Sequence, residues 1–298
     1  MNTIRKNLFP VLAALIWGTA FVAQSVGAAY VPPFAFNTVR SLIAAAALLL
    51  AAFLFSKVRK EPLLPPRTQR KDLLLGGFCC GAILTVASGL QQAGLSQTSA
   101  GKAGFITALY IVLVPVFGIF LKKRAPFTVW IAVLIAAVGL YFLCVKERFA
   151  IKKSDLLILL CAVAFACHIL TIDHFTAKVD GVRLSCLQFF VVAILSGLFT
   201  AFFEQPVWSN FQYCIGPLLY AGIFSSGIAY TLQIIAQRGA NPTVVSLLLS
   251  LESVFSVLAG ALLLGDRLTG RELFGCLLIL AAVVFAQLAP LDRHSKKV

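Results

Sequence analysis

Charged residues are scarce in this chain. Asp, Glu, Lys and Arg together make up 12% of its 298 residues, about half of what a soluble domain carries. Hydrophobic residues make up 60%, and they are concentrated in long runs separated by short polar stretches. A soluble globular core is therefore excluded, and the composition predicts a polytopic membrane protein.

Acidic residues are scarcer still, with 11 Asp and Glu against 25 Lys and Arg, which gives a formal net charge of +14. On a soluble chain this excess would suggest a nucleic-acid partner. Here the basic residues lie between the apolar runs, so no basic helix or aromatic-interleaved patch is left for nucleic acid. Because loops that face the cytosol are rich in Lys and Arg, the charge indicates membrane topology instead.

Motifs for metal, cofactor or catalytic chemistry are missing. The eight cysteines lie in or beside apolar runs, with no spacing suited to zinc. The sequence has no P-loop, no HExxH and no paired-acid motif, and GIFSSG around Ser225 has the wrong spacing for a GxSxG nucleophile. We therefore expect no catalytic residue, no metal, no cofactor and no ATP-driven step.

Ten runs are long enough to cross a bilayer, which needs about 20 mostly apolar residues. This predicts an all-α fold of ten transmembrane helices. Their expected positions are 8–29, 33–55, 73–94, 100–121, 127–145, 155–176, 184–203, 213–237, 243–264 and 271–289.

The loops between these helices alternate in charge. One set, which includes both termini, carries most of the Lys and Arg residues, so both termini are expected in the cytosol. The exception is the basic loop from Lys146 to Lys153, which this topology places outside. The expected location is the plasma membrane, or the inner membrane of a bacterium.

Two stretches of the chain, 88–141 and 230–284, repeat the same order of features. Each has a Leu-Gln pair, an apolar run with a Val-Phe pair, a charged turn with an Arg and a second apolar run. Residues 1–149 and 150–298 are therefore expected to be two five-helix repeats. Because five is odd, the second repeat enters the membrane inverted, and such repeats place the binding site near the midplane between them. The matched residues are Leu90-Gln91 with Leu232-Gln233, Val116-Phe117 with Val254-Phe255, and Arg124 with Arg267.

Several segments in a characteristic order resemble the EamA-type members of the drug/metabolite transporter superfamily, which have two five-helix repeats. One departure is Asp266, where the family often has Glu. The segments are ALIWGTAF with Trp17-Gly18, FNTVRSL with Arg40, TSAGKAGFITALYIVLVPVF, SLLLSLESVFSVLAGALLLGDRLT and ELFGCLLILAAVVFA.

This resemblance implies a secondary transporter of amino acids, nucleosides, sugars or other metabolites, often an exporter. It also implies a central cavity formed mainly by helices 1, 3, 4, 6, 8 and 9. We expect a small polar metabolite as substrate, moved by alternating access. A lipid flippase, a channel or an intramembrane enzyme are the alternatives, and the sequence leaves monomer and homodimer open.

Glu252 is the most informative single residue. It lies about 14 Å along the ninth helix, near the bilayer midplane, where a carboxylate is costly and faces the bundle interior. One interpretation is a protonatable site that couples proton movement to transport; the other is a neutral or paired Glu that ties helices together.

Two cations lie within or near helices. Arg40 is about 10 Å into the second helix, where it could bind an anionic group, pair with Glu252 or extend to the outer interface. A structural role is favoured. Lys102, near the outer end of the fourth helix, is expected to be an interfacial residue or to attract anions to the entrance.

The remaining candidates are uncharged. His168 lies deep in the sixth helix, as a packing residue or a ligand. Pro115 is expected to kink the fourth helix. Amides can bind a polar metabolite or tie helices together; Gln91 and Gln233 are favoured for the pocket and Gln188 for helix contacts. The predicted substrate-binding set is Trp17, Gln24, Gln91, Tyr110, His168, Tyr230 and Gln233.

Overall fold

The computed structural model describes residues 3–60, 62, 64–97, 100–123, 125–144, 153–264 and 268–288. These residues form thirteen α-helices. The helices are α1 (Thr3–Ala28), α2 (Pro33–Arg59), α3 (Arg67–Leu95), α4 (Ala100–Ala108), α5 (Tyr110–Phe120), α6 (Phe127–Cys144), α7 (Lys153–Thr176), α8 (Gly181–Phe203), α9 (Ile215–Leu219), α10 (Tyr230–Gln237), α11 (Pro242–Leu249), α12 (Leu251–Ala259) and α13 (Gly270–Leu288).

Three of the predicted spans consist of more than one segment. The fourth is α4 and α5, and the ninth is α11 and α12 followed by a π-helical turn at Gly260–Leu264. The eighth begins with a 3-10 turn at Trp208–Cys214 and has a π-helical segment, Tyr220–Ala229, between α9 and α10.

The predicted all-α membrane fold is confirmed. In the described part of the chain nine spans are long and apolar enough to cross a bilayer, and Phe127–Leu143 is a shorter apolar helix that forms the tenth. Only helices satisfy every backbone hydrogen bond within one segment in lipid, which explains why each apolar run adopts this structure. The loop 146–152, the 149/150 boundary and Asp266 lie outside the described residues.

The packing of the helices follows the two halves. α2 packs on α8 and α6 packs on α13, so each of these pairs joins equivalent spans. α1 packs along the eighth span, and its equivalent in the second half, α7, packs along α3. Likewise, α1 packs on α12 and α7 packs on α5. With five spans in each half, this arrangement is a pseudo-twofold one in which the second half is inverted.

Two glutamines make the same contact in the two halves. Nε2 of Gln92 donates to the backbone carbonyl of Gln24 over 3.0 Å, and Nε2 of Gln237 donates to that of Ile169 over 2.8 Å. The two members of each pair are 68 residues apart in sequence. These amides therefore tie α3 to α1 and α10 to α7, in equivalent positions of the duplicated unit. The sequence match of Gln91 with Gln233 is accordingly three residues out of register.

Helix starts are stabilised by side chains. Asp180 caps α8, since its Oδ1 accepts from the backbone N–H groups of Val182 and Arg183 at 3.1 and 3.0 Å. The first turn of α2 is capped from the other half, because the Glu204 carboxylate accepts from the backbone N–H groups of Phe34 and Ala35 at 2.9 and 2.8 Å. Such bonds satisfy N–H groups that a helix start leaves without partners.

At the predicted cytosolic end, ion pairs join the two halves. Lys123, after α5, pairs with Asp173 of α7, and Lys178 lies 3.8 Å from Asp72.

Candidate functional site

A cavity lies between the two halves. Residues from both repeats line it, so it occupies the seam that the duplication predicts. Its lining residues are Trp17, Phe21, Gln24, Arg40, Gln91, Thr107, Tyr110, Phe165, Ile169, Ser225, Tyr230, Gln233, Leu249 and Glu252.

Most of the residues singled out from the sequence meet at this cavity. Six of the seven predicted substrate-binding residues line it, and so do Glu252 and Arg40. His168 lies behind the wall, next to Tyr230. The roles of these lining residues in substrate binding remain a prediction. That they lie around one cavity is shown by the structure.

Glu252 is buried, with 4% of its surface exposed. Its Oε1 accepts a hydrogen bond of 3.1 Å from the hydroxyl of Tyr110 in the other half. Glu252 lies in the first turn of α12 and Tyr110 is the first residue of α5. The two broken spans therefore meet at their breaks, and discontinuous helices of this kind form the binding sites of many transporters.

Close helix packing sets the position of Glu252. A Cβ atom on Gly18 of α1 would lie 2.7 Å from the carbonyl oxygen of Glu252 and 2.6 Å from Cβ of Phe255. Glycine at position 18 thus permits the approach of α1 and α12 that brings the carboxyl to the cavity wall.

Arg40 points into the bundle and does not extend to the interface. It is 6% exposed and lines the cavity. Its Nη1 donates to Oε1 of Gln24 over 2.9 Å, and the guanidinium lies 5.9 Å from the ring centre of Phe36. Among the described residues no carboxylate lies within 4.0 Å of it, so the suggested ion pair with Glu252 is not formed.

Trp17 and Tyr230 form an aromatic wall. Their ring centres are 4.7 Å apart, and Trp17 Nε1 donates to the backbone carbonyl of Ser225 over 3.1 Å. That carbonyl belongs to the π-helical segment, and such segments often mark functional sites. His168 lies behind Tyr230, and the centres of the two rings are 5.9 Å apart. His168 also shares a 3.1 Å hydrogen bond with Gln188.

Two of the predicted pocket amides have capacity left for a ligand. Gln91 Nε2 makes a long bond of 3.4 Å to the hydroxyl of Thr107, and Gln233 Oε1 is buried without a hydrogen-bond partner. Thr107 and Ser225 were missed by the sequence reasoning, because small hydroxyl residues are common in membrane helices and carry no specific signal.

Pro115 is not the point at which the fourth span breaks. It lies inside α5, whereas the interruption is at Leu109, whose carbonyl accepts from the N–H groups of both Val112 and Leu113, at 3.0 and 3.3 Å. This interruption lies six residues before the proline, and a kink at Pro115 remains a prediction. Lys102 belongs to α4, but its side chain lies outside the described part of the chain.

Metal binding has no support in the described residues, which contain no group of three or more His, Cys, Asp or Glu side chains able to hold an ion. The polar groups that line the cavity are amides, hydroxyls, one carboxyl group, one guanidinium and the Trp17 indole.

A ten-span helical protein with a polar cavity between inverted halves belongs to the class of secondary membrane transporters. The model of the EamA-like transporter family matches residues 5–145 and 152–287. The chain belongs to this family and is a multi-pass plasma-membrane transporter.

Named relatives agree with this assignment. An uncharacterized transporter of Archaeoglobus fulgidus is 33% identical over 93% of this chain and 84% of its own length. The uncharacterized transporter YoaV of Bacillus subtilis is 24% identical over 94% and 96% of the two chains. Protein PagO of Salmonella typhimurium is 26% identical over 81% and 79%.

A solved crystal structure shares the fold, with a TM-score of 0.76, 21% sequence identity and coverage of 95% of this chain and 96% of the other.

Proposed function

We propose that the chain exports a small polar metabolite, an amino acid or a molecule of similar size, and that Glu252 couples this transport to protons. The single observation that carries the proposal is the Tyr110–Glu252 contact on the wall of a cavity between the two halves. Residues 1–149 and 150–298 are the units that move against each other, and both termini face the cytosol.

The lining of the cavity supports a small substrate. One wall is aromatic, with Trp17 and Tyr230, and Gln91 and Gln233 supply amide donors and acceptors. Such a lining suits a molecule with a polar head and an apolar part.

The coupling proposal follows from the position of the acid. Glu252 is buried in the membrane interior, where an ionised carboxyl without a cationic partner is unfavourable. When the cavity opens to one side of the membrane, Glu252 would bind or release a proton there, and this would change the charge of the cavity. Tyr110 can donate to the ionised form, which makes both states accessible.

The breaks in the two spans support alternating access. α4–α5 is interrupted at Leu109, immediately before Tyr110, and α11–α12 at Ser250, two residues before Glu252. Rotation of one segment against the other at these breaks would open one end of the cavity and close the other without unfolding a helix.

The test begins with untargeted metabolite analysis of cells and medium on overexpression of the wild type, Glu252→Gln and Asp72→Asn. Asp72 is a partly exposed acid outside the cavity and serves as the matched control. We expect one solute class to accumulate in the medium with the wild type and with Asp72→Asn, but not with Glu252→Gln.

The identified solute is then measured in proteoliposomes. Saturable flux supports the proposal. Passive flux that does not saturate would indicate a channel, movement of labelled lipid without solute flux would indicate a flippase, and hydrolysis without transport would indicate an enzyme; each of these results would replace the proposed function.

A further inference from the structure

We propose that Arg40, oriented by Gln24, is an anion subsite of the cavity and binds a carboxylate group of the transported molecule. This inference rests on the proposed function, because it assigns substrate chemistry to the same cavity.

The burial of Arg40 is the first argument. Its side chain is 94% buried in the membrane interior and reaches the cavity wall. A guanidinium group keeps its charge in proteins and has five N–H donors. The described residues offer it one hydrogen-bond acceptor, Oε1 of Gln24 at 2.9 Å.

A buried cation without a counter-charge is costly, and the cost is offset when an anion binds. The Gln24 amide is neutral, and within the described ranges no carboxylate lies within 4.0 Å of the guanidinium. The described residues therefore hold a positive charge at the cavity that has a neutral hydrogen-bond partner but no counter-charge. A carboxylate matches it well, since two parallel N–H groups of a guanidinium can bind both carboxylate oxygens.

Gln24 is fixed in an orientation that leaves the rest of the guanidinium free. Its backbone carbonyl accepts from Gln92, and its own Nε2 donates to the carbonyl of Ala20 over 3.4 Å. Oε1 is thereby directed at Arg40. Because only Nη1 is engaged, the other N–H groups remain available on the cavity side. Gln24 is accordingly a positioning residue, and Arg40 makes the contact.

Glu252 cannot substitute for the missing anion, because it lies at a different depth. Along α1, Gln24 contacts Arg40 and Gly18 contacts the backbone of Glu252. These two positions of α1 are six residues apart, which corresponds to about 9 Å along the helix axis. Arg40 and Glu252 thus lie at different levels along one cavity.

This separation restricts the charge of the substrate. A bound carboxylate neutralises Arg40 and leaves Glu252 to take either a proton or a cationic group of the substrate. A simple carboxylate is expected to bind together with a proton, and a zwitterion without one. A cation or neutral molecule leaves Arg40 uncompensated and is expected to bind poorly.

The experiment measures ligand-induced thermal stabilisation of the purified full chain in detergent. The probes are size-matched: 4-methylvalerate, L-leucine, L-leucinamide and isopentylamine. The variants are Arg40→Gln, Arg40→Lys and, as the matched control, Arg238→Gln, an exposed residue after α10.

We expect both carboxylate-bearing probes to stabilise the wild type and Arg238→Gln, and the amide and the amine to have little effect. Arg40→Gln should weaken the apparent affinity for the carboxylates about 10- to 100-fold, the loss typical of a charge-assisted hydrogen bond. Arg40→Lys should retain part of the affinity for the carboxylates, because it keeps the positive charge. Without ligand, Arg40→Gln should unfold at the same or a higher temperature, because it removes an uncompensated buried charge.

Three results would overturn the subsite: no stabilisation of the wild type by either carboxylate, equal stabilisation by the acid and its amide, or unchanged carboxylate affinity in Arg40→Gln. A fall in the unfolding temperature of ligand-free Arg40→Gln would assign Arg40 a structural role instead. Flux of the same probes in proteoliposomes separates the two proposals. Carboxylate binding without flux keeps the anion subsite and contradicts the proposed metabolite export, whereas flux of leucinamide or isopentylamine alone does the reverse.

Discussion

The hydroxyl of Tyr110 donates a 3.1 Å hydrogen bond to Oε1 of Glu252, and this bond joins the two halves where their broken spans begin again. The two residues are 142 positions apart in sequence. The contact therefore links the group proposed to carry the proton to the backbone breaks proposed to permit movement.

Removal of this bond should impair transport without unfolding the protein. Tyr110→Phe keeps the ring and deletes the donor to Glu252, a loss of about 1–2 kcal/mol for a hydrogen bond to an ionised group. We expect the initial rate of solute flux in proteoliposomes to fall about 5- to 20-fold. Tyr213→Phe, at an exposed tyrosine, should transport like the wild type. Equal rates for both variants would show that the contact is not used in transport.

The approach of α1 and α12 gives a second prediction. Gly18→Ala places a methyl group within 2.7 Å of the Glu252 carbonyl oxygen, so the two helices must separate. We expect a destabilisation of about 1–3 kcal/mol and a loss of flux, since the carboxyl moves with its helix. Gly216→Ala is the matched control, because a Cβ atom there meets nothing within 4 Å. Normal flux in Gly18→Ala would contradict the packing described.

The cap on α2 can be tested by stability alone. Glu204→Ala removes the acceptor for the backbone N–H groups of Phe34 and Ala35. Loss of a helix cap of this kind costs about 1–2 kcal/mol, so the midpoint of thermal unfolding should fall. Gln205→Ala changes the exposed neighbouring residue and should leave the midpoint unchanged. The cap would be refuted by equal midpoints.

A cross-link tests whether the predicted cytosolic end opens. Lys123 and Asp173 form an ion pair between the halves, so cysteines at both positions should be within reach of a short bifunctional thiosulfonate reagent. We expect this cross-linker to stop flux and a reductant to restore it, while each single-cysteine variant remains active after the same treatment. Full activity of the cross-linked double variant would exclude opening at this end.

Much of the fold could be predicted from the sequence, because hydropathy and lipid physics together determine it. Apolar runs of about 20 residues must form helices in a bilayer, and the repeated Leu-Gln and Val-Phe pairs revealed the duplication. The depth of Glu252 followed from counting residues along its helix. These inferences need only local sequence and a known membrane thickness.

The details of the site could not be predicted, since they depend on how the helices rotate and approach. Arg40 could have extended to the interface, and only the packing of α2 against its neighbours directs it to Gln24. Pro115 drew attention to the fourth span, but no sequence signal marked Leu109, where α4 and α5 are separated. The His168 side chain could bind a ligand by its chemistry, but it lies behind Tyr230 and not at the cavity. Which face of a helix such a side chain occupies depends on how the helix is rotated in the bundle.

The central claim is that Glu252 carries the coupling proton, and the most direct measurement is proton movement during solute transport in proteoliposomes. A pH-sensitive dye inside the vesicles reports protons while labelled solute reports flux. In the wild type, we predict that solute addition moves protons and that an imposed pH gradient drives uphill solute movement. In Glu252→Gln, both should be lost while exchange of solute for solute across the membrane persists. Gradient-driven uphill transport that is undiminished in Glu252→Gln would contradict the account.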